Sequence, residues 1–264
     1  MVIQKYMNDT ITVVMPTYNK TDFISQTIES VLKQTYQNFE IVIIDDCSKD
    51  KSVEIIKKNY DDKRIKLIEL HENKGSAYAR NEALRQARGR YIAFLDSDDL
   101  WLDNFLEEQI KFLKANKASL VYCSYYIIDE NNKKILNPYV VKDKVSYKDI
   151  LKFLPIGMLT SLYDTKQIGK YYFEESLGSI RDDYVYWLEI LKKIDFAYAN
   201  PEILAKYRIH KNSVTKKKYK MILPQFKVYY KIEKLGIIKS LYYLLHWSLH
   251  GLRKYYTKKN NKEE

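Results

Sequence analysis

Glu40-Ile-Val-Ile-Ile-Asp-Asp46 decides the fold. Four β-branched residues in a row leave no polar face, so Glu40–Ile44 reads as a strand buried on both sides, stopped by two aspartates. Working outward, Ile11–Met15 is a second such run, ended by Pro16 and the polar Thr17-Tyr18-Asn19. Ile65–Leu70 and Tyr91–Leu95 read as two more strands, the latter ending in Asp96-Ser97-Asp98-Asp99. Helical spacing fills the gaps. Asp22–Gln34 carries Phe23, Ile24, Ile28, Val31 and Leu32 on one face, and Ser52–Tyr60 and Gly75–Arg88 follow the same logic. Strand alternating with helix predicts an α/β fold with right-handed crossovers and a mostly parallel sheet covered on both faces. Ligands bind such sheets at the carboxyl ends of the strands. One acidic loop there is an ordinary solvated turn, but three polar strand ends at one edge point to a shared site.

Beyond Asp99 the periodicity weakens. Leu102–Asn116 reads as a helix, Leu120–Ile128 as a strand and Asp129–Lys134 as a hairpin turn. Ser146–Phe153 and Asp182–Lys193 read as helices, and Phe196–Ile209 as strand or loop. No repeat is visible and Pro and Gly are too scarce to mark a linker. The expected division is one α/β domain over 1–215 and a basic helical extension over 216–264.

Of the 264 residues 46% are hydrophobic and 30% charged, which excludes disorder and fibrous repeats. Two cysteines cannot build a disulfide framework, and no signal-like segment precedes the first strand, so a reducing, cytoplasmic setting is expected. No apolar stretch reaches the ~18 residues that a membrane-spanning helix needs. The net charge of +11 is unevenly spread: residues 205–264 hold 16 Lys/Arg against 3 Asp/Glu, and the first 204 residues hold 29 against 31. Within that basic quarter, Gly236–Tyr256 places Ile237, Leu241, Leu244, Leu245, Ser248 and Leu252 on one helical face, flanked by Lys216-Lys217-Lys218 and Lys258-Lys259. Such a helix either docks peripherally on an anionic membrane surface, at about 1 kcal/mol per basic residue near the headgroups, or packs on its own domain or a second subunit. Nucleic-acid binding needs a recognised module with stacking aromatics, and none is evident.

Asp96-Ser97-Asp98 is a D-x-D pattern at a strand end. Two carboxylates one residue apart can both reach a hard divalent cation, Mg²⁺ or Mn²⁺, whose shell is usually completed by substrate phosphates. As a bare string it is weak, and Asp98 or Asp99 could equally cap a helix containing Trp101 and Phe105.

These residues stand in wider segments: Val-Val-Met-Pro-Thr-Tyr-Asn (13–19), Ile-Ile-Asp-Asp-Cys-Ser (43–48), Asn-Lys-Gly-Ser-Ala-Tyr-Ala-Arg-Asn (73–81) and Phe-Leu-Asp-Ser-Asp-Asp (94–99). Arg-Asp-Asp-Tyr-Val-Tyr-Trp (181–187) and Tyr-Arg-Ile-His-Lys-Asn-Ser (207–213) follow in order. Together they resemble the family 2 glycosyltransferases of the GT-A fold, in the branch that assembles bacterial surface polysaccharide. The resemblance covers about residues 10–215 and implies a nucleotide-binding half (10–100) and an acceptor half (101–215). It implies that Pro16, Thr17, Tyr18 and Asn19 line the nucleoside pocket, with Tyr18 near the base. It places Asp46, with Asp45 beside it, on the uracil imide N–H, which favours a UDP-sugar donor. Gly75 and Arg80 would approach the base or phosphates, Asp96 and Ser97 the ribose or donor sugar, and Asp98 the Mn²⁺ or Mg²⁺ ion. Asp182-Asp183 stands where the family commonly has Glu-Asp. The implied catalytic base lies in this pair, Asp183 favoured over Asp182, and one displacement inverts the anomeric centre. Taken by themselves the pair would be two helix N-terminal carboxylates. Arg208 would offset the leaving group's charge and His210 would complete the metal shell or meet a phosphate. The implied acceptor is a glycan, lipid-linked, at the inner face of a bacterial membrane.

Rival readings meet specific objections. A nucleotidyltransferase places a Gly-rich basic loop after its first strand, which Pro16-Thr17-Tyr18-Asn19 does not supply. A phosphoacceptor receiver domain would end near residue 120, leaving Asp182, Arg208 and His210 unexplained. An idle sugar-binding homologue has no need of both Asp98 and Asp183.

Overall fold

The computed structural model describes residues 9–141, 143–177, 181–210 and 221–260, the last ten of these as backbone only. The buried runs become strands β1 (Ile11–Thr17), β2 (Phe39–Asp45), β3 (Ile65–Glu69) and β4 (Tyr91–Phe94). They pair in parallel, in the order β3-β2-β1-β4. Between them run α1 (Ile24–Leu32), α2 (Ser52–Asn59) and α3 (Ser76–Gln86).

Alternate residues of each strand feed opposite cores. Val13, Met15, Ile41 and Ile43 face Ile24 and Ile28 of α1 and Ile56 of α2. Val14, Val42 and Ile44 face Ala77, Ala79, Ala83 and Leu84 of α3. Small residues on α3 let that helix lie close to the sheet. β1 runs two residues beyond the expected stop, through Pro16. Val14 O accepts from Leu95 N, so even-numbered residues of β1 turn their backbone toward β4. β4 has ended at the level of Pro16, so the missing N–H forfeits no ladder bond there.

The second half of the sheet is mixed. β5 (Leu100–Trp101), β6 (Leu120–Ile128), β7 (Lys134–Tyr139), β8 (Lys144–Val145), β9 (Ser161–Asp164) and β10 (Ala197–Arg208) extend the order to β4-β9-β6-β10-β5, with β7 on β6 and β8 on β10. β6 and β10 are parallel to each other, whereas β9 is antiparallel to both β4 and β6 and joins the two halves. β10 is the strand expected as "strand or loop"; Pro201 sits in its bulge, where the register shifts between Asn200 and Ile203. Helix α4 (Phe105–Ala115) begins later than expected, because Leu102, just past β5, still donates its N–H to Leu204 O of β10 (2.8 Å). Ser146–Phe153 yields only the single turn Tyr147–Ile150, and α5 (Asp182–Leu191) is as expected.

The C-terminal segment forms α6 (Ile222–Lys227), a π-helical turn at Val228–Ile232 and α7 (Gly236–Asn260). Val228 and Tyr229 are buried in the same core as α3 and α5, and Tyr243 and Leu244 pack against it. The side of α7 that meets the domain carries Ser240, Tyr243, Leu244 and Trp247. Most of the apolar face read from the sequence is in solvent instead: Ile237 is 60% exposed, Leu241 53% and Leu245 60%. Leu244 belongs to the inner side, the Leu252 side chain lies outside the described residues, and Lys216-Lys217-Lys218 does too. Among the described residues no helix is long and apolar enough to cross a membrane.

Candidate active site

The carboxyl ends of β1, β2 and β4 meet the start of α5 and the end of β10 along one edge of the sheet. At β2, Asp46 is buried and both carboxylate oxygens are taken, accepting from Lys74 N (2.7 Å) and Gly75 N (2.8 Å). This anchors the loop that launches α3. Gly75 has φ 87° and ψ 164°, a conformation reserved for glycine. Asp45 Oδ2 accepts from Ser48 N (2.9 Å), but Asp45 Oδ1 is buried with no partner. So is Oγ1 of Thr17, its register neighbour on β1. The carboxylate oxygen that lacks a donor therefore belongs to Asp45, whereas the sequence reading put the base contact on Asp46. Tyr18, 43% exposed, stands at the rim of this end, and Asn19 adopts φ 51° with its backbone N–H on Ser48 Oγ (2.9 Å).

Arg80 organises the centre. Its buried guanidinium donates to Asp182 Oδ2 (3.0 Å) and to Asp96 Oδ1 (2.7 Å), and lies over the Phe173 ring. Residues 80, 96 and 182 are thereby brought together from α3, the β4 end and α5. Burial works against the Arg80 charge, but Asp96 and Asp182 outweigh it and raise its pKa. Burial pushes the Asp182 carboxyl up, against the pull of Arg80. Asp183, next along, is half-buried and accepts from Tyr184 N (2.7 Å) at the helix start. Of the pair, Asp182 is committed to Arg80 and Asp183 is the one open toward solvent. Arg181, just before them, has φ 69° and lies against the Trp247 ring of α7.

Asp98 is the third centre. Burial opposes its ionisation, yet Lys20 and His210 more than compensate and its pKa is lowered. Lys20 Nζ is ion-paired with Asp98 Oδ2, and His210 Nε2 lies 2.9 Å from the same oxygen. Phe23 packs on His210 and under Arg208, holding the start of α1 to the end of β10. Ser97 is buried.

Asp99 and Arg208 depart from their expected roles. Asp99 caps no helix: α4 starts at Phe105, after Asn104. The Asp99 carboxyl is fully enclosed and accepts from Arg208 N (2.8 Å). Burial beside Asp98 and Asp96 raises its pKa well above the usual carboxylate range. Arg208 is 1% exposed and its guanidinium is occupied internally. It donates to Asp98 O (2.7 Å), Asn132 Oδ1 (2.7 Å), Glu130 O (3.2 Å) and Gln26 Oε1 (3.0 Å). The expectation of a leaving-group contact gives way to a clamp joining the D-x-D turn, the β6–β7 hairpin and α1.

Against known proteins, the model of "Glycosyl transferase family 2" matches residues 12–175. The chain belongs to this family. It is 35% identical over 92% of its length to the Bacillus subtilis protein TuaG, named for teichuronic acid biosynthesis, covering 96% of that protein. It is 38% identical over 96% of its length to the Escherichia coli WfgD, named as a UDP-Glc:α-D-GlcNAc-diphosphoundecaprenol β-1,3-glucosyltransferase, covering 98% of it. Staphylococcus aureus TarS, solved with UDP-GlcNAc, aligns at a TM-score of 0.68 and 21% identity, over 83% of this chain and 65% of that one. The mannosyltransferase PcManGT of Pyrobaculum calidifontis, solved with GDP-Man and Mn²⁺, aligns at 0.67 and 19% identity, over 90% and 70%. These likenesses confirm the GT-A fold, and the chain is a glycosyltransferase.

One side chain at this sheet edge was missed in the sequence, Lys20, and Asp45 was read there only as the neighbour of Asp46. Lys20 carried no signal beyond its place after Asn19; only the fold brings it to Asp98. Among the described residues no three His, Cys, Asp or Glu side chains form a closed metal cage. Asp98 with His210 is the remaining donor set: one carboxylate and one imidazole, with Lys20 Nζ on the same carboxylate oxygen, so substrate phosphates would have to complete a shell there. That composition fits a hard divalent ion of the Mn²⁺ or Mg²⁺ kind, held jointly with substrate.

Proposed function

We propose that the chain transfers a single sugar from a UDP-sugar to a lipid-linked glycan acceptor with inversion, as an Mn²⁺- or Mg²⁺-dependent enzyme. The observation that carries this reading is the joining, through Arg80, of Asp96 with Asp182 at the same sheet edge as Asp98. The uridine would lie between Tyr18 and the buried pair Thr17–Asp45, whose orphan oxygens suit the imide N–H of a pyrimidine. Asp46 acts through the loop it anchors. The WfgD name supports a lipid-diphosphate acceptor and the TarS complex supports a UDP-sugar donor.

In the reaction, the acceptor hydroxyl oxygen attacks the anomeric carbon while the bond from that carbon to the β-phosphate oxygen breaks. The hydroxyl proton passes to the Asp183 carboxylate, and UDP departs with the electron pair. Arg80 holds Asp182 and Asp96 in place, and Asp182 thereby fixes the first turn of α5 from which Asp183 projects. A divalent ion on Asp98 and His210 would supply charge neutralisation for the departing diphosphate. The enzyme sits on the inner membrane face through the outer stripe of α7, where Ile237, Ile238, Leu241, Leu245 and Leu249 are exposed beside Lys227, Lys231, Lys234 and Lys239. On this reading residues 1–215 are the catalytic domain and 216–264 the extension that meets the membrane.

Calorimetric titration with UDP and then GDP, with Mn²⁺ and again with EDTA, tests the donor assignment; metal-dependent binding of UDP with little for GDP is expected. Asp183→Asn is expected to lower turnover at least ~100-fold, the scale of general-base catalysis, and leave UDP affinity within about threefold. Near-normal turnover would overturn the base assignment.

A further inference from the structure

Lys20 has no role in the scheme above, yet its ammonium rests on the oxygen that a metal ion would need. Lys20 Nζ and His210 Nε2 converge on a single atom, Asp98 Oδ2. The three side chains are 23%, 10% and 17% exposed for Lys20, His210 and Asp98, so water competes weakly for this contact. The backbone beneath Lys20 is pinned. Its N–H donates to Ser52 Oγ (2.8 Å), and its carbonyl accepts from Phe23 N (3.0 Å) and Ile24 N (2.9 Å). Asn19, in the left-handed conformation, is tied on its side chain by Lys49 N (2.8 Å). The four-carbon stem is therefore the part of this loop that can move without breaking backbone bonds.

We propose that Lys20 is a resident counter-ion of Asp98 which a divalent cation must displace, and that the freed ammonium then pairs with the donor diphosphate. The inference rests on the reading of Asp98 as the metal-binding carboxylate. A divalent ion bound at Asp98 Oδ2 would approach to about 2.0–2.2 Å, and an ammonium cannot keep the same oxygen at that separation. In the absence of nucleotide, displacement leaves Lys20 without an anion, so the metal binds weakly. When a nucleoside diphosphate is present the ammonium exchanges a carboxylate for a phosphate oxygen, a partner for which a compact lysine charge is suited. Metal and nucleotide then each raise the other's affinity by the same factor, and Lys20 supplies part of that factor. The device also keeps a buried carboxylate paired in the empty enzyme.

MnCl₂ is titrated into the full-length protein, with and without UDP, and free Mn²⁺ is read from its electron paramagnetic resonance signal. UDP affinity is measured calorimetrically in parallel, and folding is checked by circular dichroism. Lys20→Met is expected to bind Mn²⁺ without UDP at least tenfold more tightly than wild type. It is also expected to bind UDP at least fivefold more weakly in the presence of Mn²⁺. Lys20→Arg, which keeps a cation at the site, is expected to retain weak metal binding in the absence of UDP. A merely structural lysine would not make a metal bind more tightly when removed. If Lys20→Met leaves nucleotide-free Mn²⁺ affinity within twofold of wild type while UDP still recruits Mn²⁺, the Lys20 proposal is overturned and the glycosyltransferase scheme stands. If UDP recruits no Mn²⁺ to wild type, or Asp98→Asn recruits it equally well, the metal assignment itself falls and Lys20's role with it.

Discussion

Replacing Arg208 by lysine separates two roles that the primary structure could not tell apart. The guanidinium is 1% exposed and reaches Asp98 O, Asn132 Oδ1, Glu130 O and Gln26 Oε1 in three directions, with Phe23 against its face. A lysine ammonium keeps the charge but is a point, and it cannot span acceptors on three separate elements. At least two hydrogen bonds to part-buried acceptors are lost, at about 1 kcal/mol each, and the loss of ring contact adds about 0.5–1 kcal/mol. A destabilisation of about 3 kcal/mol follows, a large share of a typical domain's 5–15 kcal/mol. With a urea slope of about 3 kcal/mol/M, the unfolding midpoint should fall by roughly 1 M. UDP affinity, measured well below that midpoint, should stay within about threefold. If Arg208→Lys unfolds within about 0.5 kcal/mol of wild type and instead loses tenfold in UDP affinity, the clamp reasoning fails and the guanidinium works on the pyrophosphate.

Other substitutions probe neighbouring parts of the structure. Gly75→Ala places a Cβ on a backbone at φ 87°, ψ 164°; a cost of about 1–3 kcal/mol and weaker UDP binding should appear together in thermal melts and titrations. Asp62 is held down to about 2, chiefly by its side-chain bond to Arg64 and by the Arg64 backbone N–H. Its lowered pKa contributes stability above the unfolded value of about 3.9 that is lost as pH falls through about 2. The gap between wild type and Asp62→Asn, under about 1 kcal/mol for so exposed a pair, should therefore shrink across that window in acid titrations. Leu241→Glu with Leu245→Glu should abolish sedimentation with anionic vesicles while sparing UDP binding; unchanged sedimentation would exclude α7 as the docking face. Truncation at residue 236 is a poorer test, because it strips Tyr243 and Leu244 from the core they cover.

Legibility followed local physics. The apolar runs at Ile11–Met15, Glu40–Ile44 and Tyr91–Leu95 state their burial by having no polar face, so the parallel half of the sheet and its acidic edge could be read residue by residue. The antiparallel connector β9, four residues long at Ser161–Asp164, has no such signature and is a strand only because β4 and β6 flank it. The D-x-D turn, Asp182-Asp183 and His210 were visible as residue types at fixed places, since each follows a strand end or opens a helix. Their partners were not. α7 illustrates the same limit: its periodicity announced an amphipathic helix, but which side faces inward depends on where Val228 and Tyr229 anchor the chain.

The linear order of residues determined the fold class, the strand-end location of the acids and the family segments, because these rest on side-chain polarity at spacings of two and 3.6. Tertiary structure decided which charges meet. Arg80 is drawn to Asp182 across 102 residues, Lys20 to Asp98 across 78, and Arg208 to Gln26 across 182. A buried charge must find its partner wherever the packed chain supplies one, and no local spacing encodes that choice.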